Sequence, residues 1–519
     1  MLKNSLTNNI LHNLKIKINS HFYYKIALTF LLGILYSFTF AQYNIFICLF
    51  VAFFFLIIII KNAQSFKHAL LFIYSFNLGF CIVNFYWVWY SISYMFFDPL
   101  LKILLFFGGS VLYCIFFLPL LLLKTQKNYS FLFVFKVLVA LILHELLKNY
   151  LAGGMPWPIA AQVWNFSLYM LQGVALYGSI GFSLITWAVV ASLFFLLLKI
   201  NIKSKAILMA PAVAIILLVL FFGVYRVNYY GNKQNINQIS NLNFRIVSTA
   251  IDQDLKYSNT KIQNFYDITK IAFDDLNTKA TPDYILLPEV AFGFIVNQND
   301  TYFNLFASNI PKKSTVLLGA LREEDEQYYN SVYAILGKNK TITAYYDKIN
   351  LVPFGEYIPF IDIVPYIKNL VALNLLSAGK EQTIFNINAD IFSVLICFEI
   401  AFFNKTLNSN NIDWLFIASN EAWFDYSNEL HQFISLLKIR SIEGGIYSLK
   451  SSNKGFSSII NPLGEIEVLI KATQNSFYDT NLTIYKIKPH NKLYIFFITA
   501  LIITCYYLFF MVYKKLTIS

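Results

Sequence analysis

Long apolar runs without charge crowd the first 226 positions of this chain and return once near its C-terminal end, and no other feature constrains the fold as strongly. A helix needs about 20 predominantly apolar residues to cross the hydrocarbon core of a bilayer. Such runs fill residues 24–41, 43–60, 68–92, 100–123, 131–150, 177–198, 206–226 and 492–513, which predicts about eight membrane-spanning helices. Of the 519 residues, 57% are hydrophobic and only 13% charged, against about 25% charged in ordinary globular proteins. A disordered chain, a coiled coil and an ordinary soluble enzyme are thereby excluded. The polar tail at 1–23 is followed by two spans in quick succession, so the first run reads as a retained anchor and not as a cleaved signal peptide.

The lysines set the orientation. Lys3, Lys15 and Lys17 precede the first span, Lys61 and Lys67 follow the second, and Lys124 and Lys127 follow the fourth. Lys199, Lys203 and Lys205 follow the sixth, and Lys514 and Lys515 lie in the tail 514–519. The alternate loops, around Gln42, Asp98 and 151–176, are nearly free of basic residues. By the positive-inside rule both termini are cytoplasmic, and residues 227–491 face the other side, the periplasm of a bacterium whose inner membrane holds the chain.

The net charge of +12 does not mark a nucleic-acid partner. Residues 243–485 carry 19 basic against 26 acidic side chains, and the rest of the chain 21 against 2, Asp98 and Glu145. The excess therefore sits beside the apolar runs, where topology-setting charges belong. Of five cysteines, Cys48, Cys81, Cys114 and Cys505 fall in apolar runs and act as small hydrophobes. Cys397 alone lies in the polar segment, so no disulfide forms within it. No CxxC or paired-histidine spacing implies a metal.

Two features of the apolar region admit two readings each. The loop 153–158, Gly-Gly-Met-Pro-Trp-Pro, with Trp157, Trp164 and Tyr169 nearby, is either an interfacial aromatic belt or a gateway for a lipid substrate. Glu145, an acid inside a span, is functional by default unless Lys148 satisfies it structurally.

From residue 243 the pattern changes to short β-rich runs between amphipathic helices. Strands are predicted at 244–251, 283–288, 314–319, 331–336, 391–397, 413–419 and 446–451. Ile262, Phe265, Ile268, Ala272 and Leu276 mark one helix face, and Leu430, Phe433, Ile434 and Leu437 another. Such alternation over about 240 residues indicates one α/β domain.

Three segments carry candidate chemistry. Glu289 ends the run Tyr284-Ile-Leu-Leu-Pro-Glu-Val-Ala, Lys348 lies in Asp-Lys-Ile-Asn-Leu-Val-Pro-Phe-Gly-Glu356, and Cys397 ends Phe392-Ser-Val-Leu-Ile-Cys ahead of Phe398 and Glu399. Strand ends are where α/β folds present reactive groups. A thiol acts as a nucleophile only as thiolate, a carboxylate can take its proton, and a lysine can stabilise both thiolate and oxyanion. Glu, Lys and Cys together make an acyl-transfer apparatus without histidine.

These motifs resemble the nitrilase superfamily, whose αββα sandwich carries a Glu-Lys-Cys triad. With the eight spans, and with Ser419-Asn-Glu-Ala-Trp-Phe, Arg440-Ser-Ile-Glu443 and Ser452-Asn-Lys-Gly455, nearly the whole chain is similar to the membrane-bound apolipoprotein N-acyltransferase family of that superfamily. The resemblance implies a seven-span region at 24–226, a nitrilase-like catalytic domain at 227–491 with its core at 243–485, and an eighth span at 492–513. It implies Cys397 as nucleophile, Glu289 as proton acceptor and Lys348 as oxyanion stabiliser, supported by Glu356 and Glu399. Either supporting acid could equally be a structural partner of buried backbone donors. Trp157, Tyr257, Phe398 and Trp423 are the expected substrate contacts. The implied donor is a membrane phospholipid, phosphatidylethanolamine, the acceptor is a diacylated apolipoprotein, the chain acts as a monomer in the bilayer, and no cofactor is needed.

The sequence departs from the family pattern at Tyr257, where Trp is usual, at Lys148, where Arg is usual, at Phe398, where Tyr is common, and at Glu421 and Asp425, which replace Asp and Gly. None touches the triad. Two rival readings remain: a membrane-tethered amidase releasing its thioester to water, and a non-enzymatic scaffold or transporter. His144 and His431 lack ligand-like company, and Arg440 with Glu443 reads as an ion pair shaping the fold.

Overall fold

The computed structural model describes residues 22–95, 98–125, 128–151, 155–232, 235–236, 238–276, 281–353, 355–357, 376–402 and 412–488. The expected N-terminal tail up to residue 21, the eighth span at 492–513 and the tail 514–519 lie outside the described residues. The described residues fall into two compact units, one built from 22–92 and 98–225 and the other from 93–95 and 226–488.

The first unit is helical. Among the described residues, four helices are long and apolar enough to cross a membrane: Phe66–Asn84, Pro99–Thr125, Gly173–Leu197 and Ile202–Gly231. Phe131–Tyr150 has 20 residues but carries Lys136, Glu145 and Lys148. Phe22–Ser37 and Ile47–Lys61 are shorter than the runs that predict them, because the chain between turns tightly, with Gln42 and Asn44 at φ 69° and 55°. The run 68–92 is likewise divided: one helix stops at Asn84, Phe85 leaves helical geometry, and another starts at Trp87. Past Tyr113 the fourth run tightens into a 3-10 helix, Cys114–Thr125, which contains Pro119, a residue unable to donate to the helical ladder.

Glu145 and Lys148 form an ion pair of 3.0 Å, both almost fully buried. Lys148 also donates to the Pro158 carbonyl at 2.8 Å, while Glu145 accepts from Trp187 Nε1 at 2.8 Å and from the Ala160 amide at 3.3 Å. The acid of this helix is thus satisfied structurally, as a clamp between the helix and the loop that follows it. Trp157 and Trp164 are buried inside this unit, and only Tyr169 is exposed among the three aromatics read as an interfacial belt.

The second unit is a pair of six-stranded sheets. Its strands are β1 Gln238–Ser248, β2 Tyr284–Leu286, β3 Thr315–Glu324, β4 Gln327–Leu336, β5 Thr341–Asp347 and β6 Ile384–Ile387. They continue with β7 Asp390–Ile396, β8 Trp414–Asn420, β9 Tyr447–Asn453, β10 Phe456–Ile460, β11 Ile466–Lys471 and β12 Ser476–Tyr485. The first sheet runs β12-β1-β2-β3-β4-β5 and the second β11-β10-β9-β8-β7-β6. In each the centre is parallel, β1-β2-β3 and β7-β8-β9, and the flanking pairs are antiparallel.

Side-chain alternation explains the layering. In β2, Tyr284 and Leu286 point into the layer between the sheets, where they meet Phe244, Phe392, Trp414 and Leu449. Ile285 and Leu287 face the other way, onto Phe265 and Ile268 of the helix Lys261–Phe273 and Phe303 and Phe306 of the helix Thr301–Ser308. The helix Glu429–Gly444 covers the outer face of the second sheet through β9 and β10. The resulting αββα sandwich is the nitrilase-like fold that the sequence implies. Trp414, stacked on Phe392 at 4.2 Å between ring centres, belongs to the core. Leu276 falls beyond the end of its helix and packs partly buried against the same outer core.

Candidate active site

Three strand ends bring the chemistry together. β5 ends at Asp347, immediately before Lys348; β7 ends at Ile396, immediately before Cys397; Glu289 follows β2 by three residues. Glu289 is 6% exposed, Lys348 1% and Cys397 7%. The Glu289 backbone lies so close to β3 that a Cβ on Gly319 would come within 2.2 Å of the Pro288 carbonyl oxygen, so only glycine admits this approach.

Lys348 Nζ stands 2.8 Å from Glu356 Oε1 and 3.4 Å from Glu289 Oε1. Asn330 Nδ2 bridges the same two carboxylates, at 2.7 Å from Glu289 Oε1 and 3.1 Å from Glu356 Oε1. The second oxygen of Glu289 accepts from the Asn420 amide at 2.8 Å, and that of Glu356 from the Val352 amide at 2.8 Å. Burial alone would lower the Lys348 pKa, but Glu356 first and Glu289 second outweigh it and hold the amine well above the usual lysine value. It is a permanent cation.

The thiol behaves in the opposite way. Burial, reinforced by the charge of Glu289, pushes Cys397 well above the ordinary thiol value against the pull of Lys348. The resting group is therefore a neutral thiol that needs a base to ionise. Ser419 Oγ donates toward Cys397 Sγ at 3.7 Å. Cys397 itself adopts φ 51°, a left-handed conformation uncommon for a residue with a side chain, at the turn from β7 into the 3-10 segment Cys397–Ala401.

Glu399 is fully buried and ties two of these strand ends to each other. Its Oε2 accepts from the Ile396 amide at 2.9 Å, and its Oε1 from the amides of Ile349 and Asn350 at 2.9 and 3.0 Å. Tyr346 adds a hydroxyl at 2.9 Å from each oxygen. Arg440 Nε and Nη2 donate to the carbonyls of Ile400 and Ala401, both at 2.8 Å, while Nη1 meets Glu443 at 2.9 Å. This ion pair holds the turn that follows the thiol.

Of the expected substrate contacts, Tyr257, Phe398 and Trp423 lie in the second unit, Tyr257 about half exposed. Trp157 is buried in the first unit, its ring 6.0 Å from that of Trp87. Sequence reasoning missed Asn330 and Asn420, which make half of the contacts to Glu289. The short segments Tyr-Tyr-Asn330-Ser and Ser-Asn420-Glu contain them, but an asparagine carries no chemical signature of its own.

Sandwich and strand-end cluster together are those of a carbon-nitrogen hydrolase domain, in a chain that also carries a bundle of apolar helices. A family model described as carbon-nitrogen hydrolase matches residues 278–487, and one described as the apolipoprotein N-acyltransferase N-terminal domain matches residues 32–193. The chain thus matches an apolipoprotein N-acyltransferase model in its helical part and a carbon-nitrogen hydrolase model in its sandwich, and relatives named apolipoprotein N-acyltransferase share its sequence. It is 25% identical to the apolipoprotein N-acyltransferase of Rickettsia typhi over 84% of this chain and 88% of that protein. With the protein of the same name from Rhizobium rhizogenes it shares 32% identity over 46% of this chain and 47% of the relative. Among solved structures, Saccharomyces cerevisiae Nit3, a nitrilase-superfamily member, aligns with TM-score 0.38 and 15% identity, over 48% of this chain and 91% of that one.

Proposed function

We propose that this enzyme moves an acyl chain from a membrane phospholipid to the N-terminal α-amine of a diacylglyceryl-cysteine on an apolipoprotein, through a thioester on Cys397. The observation that carries the reading is the meeting of Cys397, Lys348 and Glu289 at three strand ends, in a chain with these matches. Glu289 takes the thiol proton as sulfur attacks the ester carbonyl carbon of the donor. Lys348 and backbone amides hold the oxyanion; the carbon–oxygen bond then breaks, and Glu289 returns its proton to the departing lysophospholipid oxygen. In the second half the acceptor amine attacks the thioester carbonyl, Glu289 accepts the amine proton, and the thiolate leaves and is reprotonated.

Glu356 and Glu399 serve as positioning residues, the first for Lys348 and the second for the backbone that carries both Lys348 and Cys397. Tyr257, Phe398 and Trp423 contact the lipid substrates, whereas Trp157, buried in the first unit, is a packing residue there. Both substrates are lipids, which gives the apolar helices a purpose beyond anchoring. In this reading eight spans hold the chain in a bacterial inner membrane, both termini are cytoplasmic, and residues 227–491 work as a periplasmic domain in a monomeric enzyme. The donor is phosphatidylethanolamine.

The test supplies purified protein with acyl-labelled phosphatidylethanolamine and a diacylated lipopeptide with a free N-terminal amine. Label should appear in amide linkage on the lipopeptide. Label released to water as free fatty acid, with none on the lipopeptide, would instead assign a hydrolase.

A further inference from the structure

A second lysine stands beside the site. Lys256 ends the single-turn helix Gln253–Lys256, is 2% exposed, and places its Nζ 3.0 Å from the backbone carbonyl oxygen of Glu289. Among the described residues no carboxylate comes within ion-pair distance of it. A buried ammonium without such a partner is costly, and methionine would fill the same volume at less expense, so the charge itself calls for an explanation.

The turn that bears Lys256 is fixed on several sides. Gln253 Oε1 accepts from Asn420 Nδ2 at 3.0 Å, and the Asn420 amide is the donor to Glu289 Oε2. Asn453 Nδ2 donates to Asn420 Oδ1 at 2.8 Å and to the Ile251 carbonyl at 2.9 Å, and its Oδ1 accepts from the Ile251 amide at 2.9 Å. Gly293, four residues past Glu289, lies so close that a Cβ there would come within 1.9 Å of the Lys256 carbonyl oxygen. The segment 251–256 is therefore packed against the Glu289 loop and joined to the strand end that holds the Glu289 carboxylate.

We propose that Lys256 is a positioning residue for the acyl-transfer reaction, clamping the Glu289 peptide and keeping a second positive charge within electrostatic reach of Glu289 and Cys397. The inference rests on the roles given above to those two residues. Its logic is a charge count. Lys348 and Lys256 offset Glu289 and Glu356 one for one, while the buried Glu399 is held by three amides and the Tyr346 hydroxyl, and moving the thiol proton to Glu289 leaves that balance unchanged. Without Lys256 the same site carries one more negative charge, and the thiolate and the tetrahedral oxyanion form against like charge. Burial lowers the Lys256 pKa to about 8, with Glu289 and then Cys397 opposing that shift. Burial, then the charges of Glu289 and Glu356, raises the pKa of Tyr257, the next residue. The amine thus loses its proton only a little above neutrality, whereas Lys348 keeps its own.

The test measures thioester formation alone, from acyl-labelled phosphatidylethanolamine in detergent micelles without acceptor, across a pH series. The full-length wild type is compared with Lys256→Met and Lys256→Arg, beside Cys397→Ala. The wild-type rate should fall as pH rises through about 8. Lys256→Met should be slower at pH 7 by about tenfold, the equivalent of one pKa unit, with its acid limb moved to higher pH. Lys256→Arg should recover most of that loss and keep its rate above pH 8, since the guanidinium stays charged. An unchanged Lys256→Met profile, or a uniform loss at every pH with both limbs in place, would overturn the inference. Where Lys256→Met does not fold, an alkaline limb of Lys256→Arg still at about 8 would overturn it. Label persisting in Cys397→Ala would defeat the parent reading, whereas label lost there with an unaltered Lys256→Met profile defeats only this one.

Discussion

Lys348 Nζ lies 2.8 Å from Glu356 Oε1, nearer than the 3.4 Å that separates it from Glu289 Oε1. The lysine charge is thus compensated chiefly by Glu356, which in the proposed reaction leaves Glu289 to exchange a proton with the thiol. Glu356→Gln should therefore slow thioester formation by on the order of 10–100-fold with little change in KM, because it disturbs the transition state more than lipid binding. Single-turnover labelling checks this. A rise in KM at unchanged kcat would place Glu356 in substrate binding instead.

Arg440 should matter to both stability and rate. Its guanidinium holds the carbonyls of Ile400 and Ala401 and pairs with Glu443, all out of water. Lysine cannot reproduce that fork. Arg440→Lys should cost about 3 kcal/mol in unfolding of the domain, the scale for breaking a buried pair. It should also slow acylation, since the turn it holds begins at the nucleophile. Denaturant unfolding followed by tryptophan fluorescence, paired with the labelling assay, reads both.

Much of this arrangement was legible in the sequence, and the reasons are specific. Strands such as Phe392–Ile396, interrupted only by Ser393, and Trp414–Ala418 are buried on both faces and read as near-continuous apolar runs. Glu289 and Cys397 stand just past such runs, so their placement followed once the motifs were noticed; Lys348 was marked by its motif alone, after a strand with no such run. β5, β6, β10, β11 and β12 escaped. β11 and β12 expose one face, and β10 buries Ser457 and Ser458 where the eye expects a loop. Ser457 is satisfied by Ser248 on the facing sheet, a partner 209 residues away that no local pattern could announce. Asn330, Asn420 and Lys256 were hidden for the same reason: their meaning lies in which strand end they reach.

Lys256 also gives a stability signature of definite sign. Its folded pKa of about 8 lies below the ordinary lysine value of 10.5, so between these values the unfolded chain binds more protons and stability rises with pH. The contribution is complete above about pH 10.5 and is lost as pH falls to about 8. At about 1.4 kcal/mol per pH unit, wild type should gain about 3 kcal/mol on Lys256→Met across that window, whatever constant offset separates the two. Denaturant midpoints measured at both ends check it, and a flat difference would mean that the amine keeps its water.

The central claim is that Cys397 carries the acyl group. Intact-protein mass spectrometry after incubation with a phosphatidylethanolamine of one defined chain, without acceptor, tests it most directly. The account predicts a gain of a single acyl chain, located on the Cys397 peptide, removed by neutral hydroxylamine and absent from Cys397→Ala. Folded wild-type protein with no adduct, or an adduct on another residue that survives in Cys397→Ala, would contradict it.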